Sequence, residues 1–305
     1  MDVALMFPGQ GSQYPRMAAS LYGTDAVFTS VIDEVVELFG EVGSVACEDW
    51  LSGADVDHVS RAQPLLFAVD YALGRMVLSW GVKPVALIGH SAGEVVAATL
   101  AGVFSLEDAV SLVRDRVVSA VSIPSGGMLA VAASEAELLP YLAGDVAIAA
   151  VNSARQTMLA GSDEPLALVR ARLEADEFIV VTVPATTPFH SPAMQPAVDE
   201  ALSAWNVSPS APRMPVYSGY TGTLMTPEDA LSARFWTRQL TDAVYFGPAL
   251  NDLLAMYDVL LVEAGPGQTL TSFARRTKAV RHGASQVLPL LDAADSVEAA
   301  RARLV

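Results

Sequence analysis

The chain has 305 residues, 52% of them apolar and 17% charged, which is enough to bury a sizeable core and argues against disorder or a coiled coil. Thirty-four acidic residues against eighteen basic ones leave a net charge of −16, so the surface as a whole repels phosphate and general nucleic-acid binding is not expected. Cys47 is the only cysteine, which rules out an intrachain disulfide and a zinc cluster built from thiolates.

The start, Met1-Asp2-Val3, lacks the basic stretch of a secretory signal. Val3 to Phe7 is a short continuous apolar run that predicts a buried strand, ending at the turn-rich Pro8-Gly9-Gln10-Gly11-Ser12-Gln13. After a polar, helix-prone region, Pro64 to Trp80 carries a wide apolar stripe at helical spacing. Val85 to Ile88 predicts a second buried strand, which runs through Gly89-His90-Ser91-Ala92-Gly93 into a helix over Glu94–Ala101. Pro84 to Phe104 is apolar enough to resemble a membrane span. However, Gly89, His90, Ser91, Gly93 and Glu94 lie in its middle, where polar groups cost most in lipid. It reads as buried core, and the expectation is a soluble, cytoplasmic, acidic globular protein with no membrane contact.

Ser105 with Asp108 resembles a capping-box start for a helix over Leu106–Val121. Arg116 lies near the edge of that helix's apolar face, where it needs a carboxylate partner that no local residue supplies. From Ser125 the pattern changes to strand Met128–Ala133, helix Ser134–Ala143, strands Val146–Val151 and Gln156–Ala160 around the turn Asn152–Arg155, helix Asp163–Asp176 and strand Phe178–Val183. This βαββαβ order is ferredoxin-like. The predicted class is therefore α/β: a hydrolase-like large subdomain with a parallel sheet (residues 1–123 and 189–305) and an inserted ferredoxin-like small subdomain (124–188). Val259 to Glu263 predicts a further buried strand, and Ala264-Gly265-Pro266-Gly267 turns it into a helix containing Phe273 to Arg276.

Gly89-His90-Ser91-Ala92-Gly93 is a G-x-S-x-G match in the strand-to-helix setting that the motif requires. The glycines permit a tight turn that exposes the serine hydroxyl at a helix N-terminus, where the next backbone N–H helps hold an oxyanion. A structural serine in an ordinary turn is the alternative. Such a nucleophile needs a base. Of the four histidines, His58 lies in a polar segment, His90 adjoins the serine on a turn that points it elsewhere, and His282 sits among basic residues. His190, in the loop Thr187-Pro188-Phe189-His190-Ser191-Pro192 at the junction of the two subdomains, is the best candidate.

Three ordered motifs, Phe7–Gln13, Gly89–Glu94 and Phe189–Pro192, together with Glu263–Gly267, resemble the malonyl-CoA:acyl carrier protein transacylase family. That family includes the acyltransferase domains of polyketide synthases, and the likeness runs from about Leu5 to Thr277. The resemblance implies that Ser91 is acylated by a thioester and that His190 acts as general base and then general acid. It places oxyanion N–H groups at Gln10 and Ala92 and a main-chain carbonyl orienting His190, by position from Met256–Asp258. It further implies that Arg116 binds the free carboxylate of a malonyl group and that Gln63 and Asn152 line the site. The reaction would be ping-pong, from acyl-CoA or an acyl carrier onto the phosphopantetheine thiol of an acyl carrier protein in polyketide or fatty acid biosynthesis. No metal and no cofactor beyond the substrates' own pantetheine arms is expected.

The chain departs from common members of that family. Thr187 and Pro188 stand where malonyl-selective enzymes often have histidine and alanine, and Ala92 is smaller than the usual leucine or glutamine. Two other readings therefore stay open: carrier-to-carrier shuttling of a non-malonyl acyl or aminoacyl group in macrolide or macrolactam assembly, and a serine thioesterase, which would need an acid such as Asp163 or Glu164 behind its histidine. An acidic carrier needs a local basic patch. Arg275, Arg276, Lys278 and Arg281 are the densest basic run, with Arg155, Arg170 and Arg172 the other candidates and a solvated helix face the alternative.

Overall fold

The computed structural model describes residues 1–183, 185–292 and 296–305; Pro184, inside the segment assigned to the small subdomain, lies outside them. Strand β1 (Asp2–Phe7) alternates its side chains between two apolar layers, Leu5 and Phe7 into one and Ala4 and Met6 into the other. Burial on both faces is why its sequence is continuously apolar rather than alternating. Helices α1 (Ala26–Phe39), α2 (Glu41–Ser52) and α3 (Val59–Ser79) follow. α3 starts five residues ahead of the apolar stripe's first member, Pro64, because the His58 ring accepts a hydrogen bond from the Ser60 N–H and caps it there.

Strand β2 (Ala86–Gly89) turns directly into α4 (Ala92–Leu100), and α5 (Leu106–Val121) begins where the Ser105 hydroxyl accepts the Asp108 N–H at 3.0 Å. The next segment runs β3 (Gly126–Val131), α6 (Glu135–Leu138), β4 (Ala147–Ser153), β5 (Gln156–Ser162), α7 (Asp163–Ala175) and β6 (Val180–Val183). Its strands form one antiparallel sheet in the order β4-β5-β3-β6, the ferredoxin-like arrangement. Two local expectations fail. α6 stops at Leu138 and Leu139–Tyr141 tightens into a 3-10 turn, because Pro140 has no N–H to continue the helix. Asn152 and Ser153 belong to β4, so the hairpin turn is only Ala154–Arg155.

The chain then returns through α8 (Gln195–Ser203), β7 (Val216–Ser218), β8 (Thr223–Leu224), α9 (Pro227–Leu231), α10 (Ala233–Arg238), α11 (Phe246–Met256), β9 (Val259–Glu263), α12 (Thr269–Ala274), α13 (Lys278–Arg281) and β10 (Gln286–Pro289). The large sheet has the order β10-β9-β1-β2-β7-β8 and is parallel except for β8. The protein is thus α/β, with a parallel-rich sheet and a second antiparallel one. β4 ties the two together, since Val151 N donates to Val244 O at 2.8 Å and Val244 N to Ala149 O at 2.9 Å. Loops after the C-terminal ends of β1 and β2 meet in front of this seam, the usual place for a site in such a sheet. Among the described residues no helix is long and apolar enough to cross a membrane.

Beneath those loops lies Asp70 on α3, fully buried, with no hydrogen-bond partner for either carboxylate oxygen among the described residues. Burial, reinforced by the nearby Glu263, pushes its pKa well above the usual carboxylate range. It fits because Gly265 has no side chain: a β-carbon there would lie 2.3 Å from Pro8 Cδ and 2.6 Å from Asp70 Oδ1.

Candidate active site

Ser91 sits on the turn between β2 and α4 with φ +52° and ψ −114°, a strained backbone that costs about 1–3 kcal/mol and is held by its surroundings. The Pro8–Gln10 loop lies directly on this turn. A β-carbon at Gly93 would stand 2.1 Å from the Phe7 carbonyl oxygen, and the His90 N–H donates to that oxygen at 2.9 Å. The Phe7–Gln13 and Gly89–Glu94 segments therefore lie against each other.

The Ser91 hydroxyl donates to His190 Nε2 at 2.7 Å, and His190 Nδ1–H donates to the Asp242 carbonyl at 2.9 Å. A carbonyl can only accept, so it sets the tautomer that leaves Nε2 free to take a proton. His190 itself has φ +63°, with its N–H fixed on the Leu240 carbonyl at 2.8 Å. Burial, with smaller contributions from the nearby His90 and Arg116, lowers its pKa to about 4 against the raising effect of the Asp242 bond. The ring is neutral at pH 7.

Asp242 corrects the expectation that this carbonyl comes from Met256–Asp258. Those residues join α11 to the start of β9, whereas the site lies at the C-terminal ends of the parallel strands, across the sheet. The Asp242 carboxylate turns away to pair with Arg238 at 2.9 Å. Asp163 accepts from Ser125 and opens α7, so it does not serve the histidine.

Gln63 Nε2 donates to Gln10 Oε1 at 2.9 Å, and both line a cavity of about 50 Å³ with Ser91, His190, Met128 and Phe189. Through Gln10, Gly11, His90, Met158 and Val183 this space borders a second cavity of about 180 Å³. Asn152 and Phe273 are shared between that cavity and a surface groove of about 550 Å³. Asn152 is buried and its Oδ1 pairs with His90 Nε2 at 2.8 Å, which gives His90 a part in shaping the passage. Of the basic run, Arg276, Lys278 and Arg281 line the groove and Arg275 does not. Arg155 lies 3.5 Å from Glu137 on the surface, Arg170 pairs with Glu174 at 2.7 Å, and Arg172 covers the Tyr141 ring at 5.4 Å.

Arg116 is buried. Its Nη2 donates to the Trp236 carbonyl at 2.9 Å and to Gln239 Oε1 at 2.6 Å, while its Nε has no partner among the described residues. Gln239 Nε2 in turn donates to Glu94 Oε1 at 3.2 Å, and Glu94 also accepts from Ser218 Oγ at 2.7 Å and Gly219 N at 2.8 Å. Burial raises the Glu94 pKa to about 8. The sequence reading missed Glu94, Tyr220, Gln239 and Asp242. Glu94 alone carried a local signal, as the single charged residue of α4.

The acyl transferase domain family matches residues 5–299. The chain belongs to that family. A phenolphthiocerol/phthiocerol polyketide synthase polypeptide of Mycobacterium tuberculosis is 38% identical over 280 residues, covering 90% of this chain and 19% of that protein. Polyketide synthase GfsA of Streptomyces halstedii is 34% identical, covering 90% and 4% respectively. This acyltransferase domain thus spans only a small part of the length of those synthases.

Among solved structures, the acyltransferase domain from the second module of the salinomycin polyketide synthase superposes with a TM-score of 0.90 at 33% identity, over 99% of this chain and 72% of that one. The acyl-carrier-protein-S-malonyltransferase of Bartonella henselae gives 0.87 at 28% identity, over 100% and 99%. The acyltransferase fold of large and small subdomains, as in these proteins, is the fold of this chain.

Proposed function

We propose that this acyltransferase domain moves an acyl group, malonyl in the first place, from CoA or a carrier protein to the phosphopantetheine thiol of an acyl carrier protein in polyketide biosynthesis. The observation that carries the reading is the Ser91–His190 pair at 2.7 Å with the histidine tautomer set by Asp242. In the first half-reaction Ser91 Oγ attacks the thioester carbonyl as its proton passes to His190 Nε2. The oxyanion is held by the N–H groups of Gln10 and Ala92. Collapse breaks the C–S bond, and the leaving thiol takes the proton from His190. In the second half-reaction the carrier's thiol gives its proton to His190 and its sulfur attacks the acyl-serine; collapse breaks the C–Oγ bond, and His190 returns the proton to Ser91 Oγ.

Exchange between thioesters is nearly isoenergetic, so the site must keep water from the acyl-serine, and a narrow buried chamber suits that task. A histidine backed by a carbonyl instead of a carboxylate favours transfer over the hydrolase reading. The unmatched charge of Arg116 supports a carboxylated acyl group. The basic groove at Arg276, Lys278 and Arg281 supports entry of a phosphate-bearing pantetheine arm.

The test is intact-protein mass spectrometry after brief exposure to malonyl-CoA, acetyl-CoA and a longer acyl thioester, beside Ser91→Ala. A malonyl adduct on the wild type alone is the expected result. Thioester consumed with no adduct would sink the transferase and favour hydrolysis, and an adduct from the longer acyl group only would replace malonyl with a shuttled chain.

A further inference from the structure

We propose that Tyr220 is the specificity-determining residue of this site, limiting branching at the α-carbon of the acyl group carried by Ser91. The inference rests on the acyl-serine reading above. Tyr220 follows β7, and its ring stands 6.1 Å from the His190 ring and 6.3 Å from Phe235, which meets it edge-on at 86°. Its hydroxyl interacts with the Ser91 side chain and feels the Arg116 charge, so the phenol stands beside the nucleophile and its histidine.

The cavity at Ser91 and the cleft at Arg116, lined by Leu112, Asp115, Trp205, Thr237 and Leu240, have no lining residue in common. An acyl chain on Ser91 starts beside the Tyr220 ring, with its α-carbon close to it because that carbon is one bond from the ester carbonyl.

The ring is fixed in place. Tyr220 N donates to Ser218 Oγ at 3.0 Å, that hydroxyl donates to Glu94 Oε1 at 2.7 Å, and Gly219 N donates to Glu94 Oε2 at 2.8 Å. One buried carboxyl group, three residues beyond the nucleophile, therefore clamps the corner that carries the ring. A rigid aromatic wall discriminates by volume, and one methyl group against such a wall is worth roughly 10–200-fold in kcat/KM.

The experiment measures Ser91 acylation by two thioester pairs that differ by one α-methyl group, malonyl-CoA against 2-methylmalonyl-CoA and propionyl-CoA against 2-methylpropionyl-CoA. Wild type, Tyr220→Phe, Tyr220→Val and Tyr220→Leu are compared. Wild type and Tyr220→Phe should prefer the unbranched member, and Tyr220→Val or Tyr220→Leu should shift that preference at least about tenfold toward the branched one. A ratio unchanged in both aliphatic variants, or a wild type that favours the branched member, overturns the assignment. Acylation by the non-carboxylated pair alone would defeat malonyl while still reading out Tyr220. No adduct from any thioester would overturn the acyl-serine and this inference together.

Discussion

Removing the Arg116 guanidinium should cost malonyl transfer far more than acetyl transfer. The side chain is 7% exposed, its Nε has no partner, and no carboxylate lies within ion-pair distance of it among the described residues. Glu94 is reached only through Gln239 and, with a pKa of about 8, is mostly protonated at neutral pH. A substrate carboxylate would therefore supply the missing anion. Hydrogen bonds to a charged group are worth about 1.5–3 kcal/mol, which corresponds to roughly 10–150-fold in the ratio of kcat/KM for malonyl-CoA over acetyl-CoA.

Arg116→Ala also releases the Trp236 carbonyl and Gln239, and with them the turn whose Leu240 and Asp242 carbonyls hold His190. That damage slows both acyl groups alike, so the ratio isolates the carboxylate contribution. Arg116→Lys keeps the charge without the fork and should recover only part of the ratio. The assay is rapid-quench acylation of Ser91 followed by intact mass. Equal losses for malonyl and acetyl would refute the argument and leave Arg116 as a strut for the histidine turn.

Three further outcomes are expected. With His190 held near pKa 4, the acylation rate should stay flat from pH 7 to about 5 and fall tenfold per unit only below about 4; a midpoint near 6.5 would contradict the buried neutral ring. The same depression makes this histidine's contribution to stability full above about pH 6.5 and lost as pH falls toward 4, by an amount on the order of 3 kcal/mol. Urea titrations of wild type and His190→Gln across that window should show the difference in slope. Separately, Arg276→Glu with Lys278→Glu should raise the carrier protein's KM several-fold at low salt, with the effect fading at high salt. A carrier KM insensitive to both changes would place docking elsewhere.

Much of this molecule was legible in residue order because its physics is local. β1 and β2 are apolar runs, α5 begins at Ser105 because a hydroxyl caps a helix N-terminus, and the glycines around Ser91 admit a turn that a β-carbon would block. The βαββαβ order of residues 126–183 was readable from its patterning. What the residue order could not reveal was which distant backbone atom faces a given side chain. The carbonyl behind His190 belongs to Asp242, 52 residues on. Arg116 meets Gln239 across 123 residues and Glu94 meets Ser218 across 124.

Such partners have no periodicity and no motif. A backbone carbonyl is the same in every residue, and glutamine and tyrosine are common, so their roles arise only when sheet register and strand order bring them to one place. The sequence by itself therefore determined the class and singled out Ser91 and His190, which the structure brings together. Only the tertiary structure decided how that histidine is held, what surrounds Arg116, and that Tyr220 stands beside the histidine, because those are contacts between segments whose order along the chain says nothing of their distance in space.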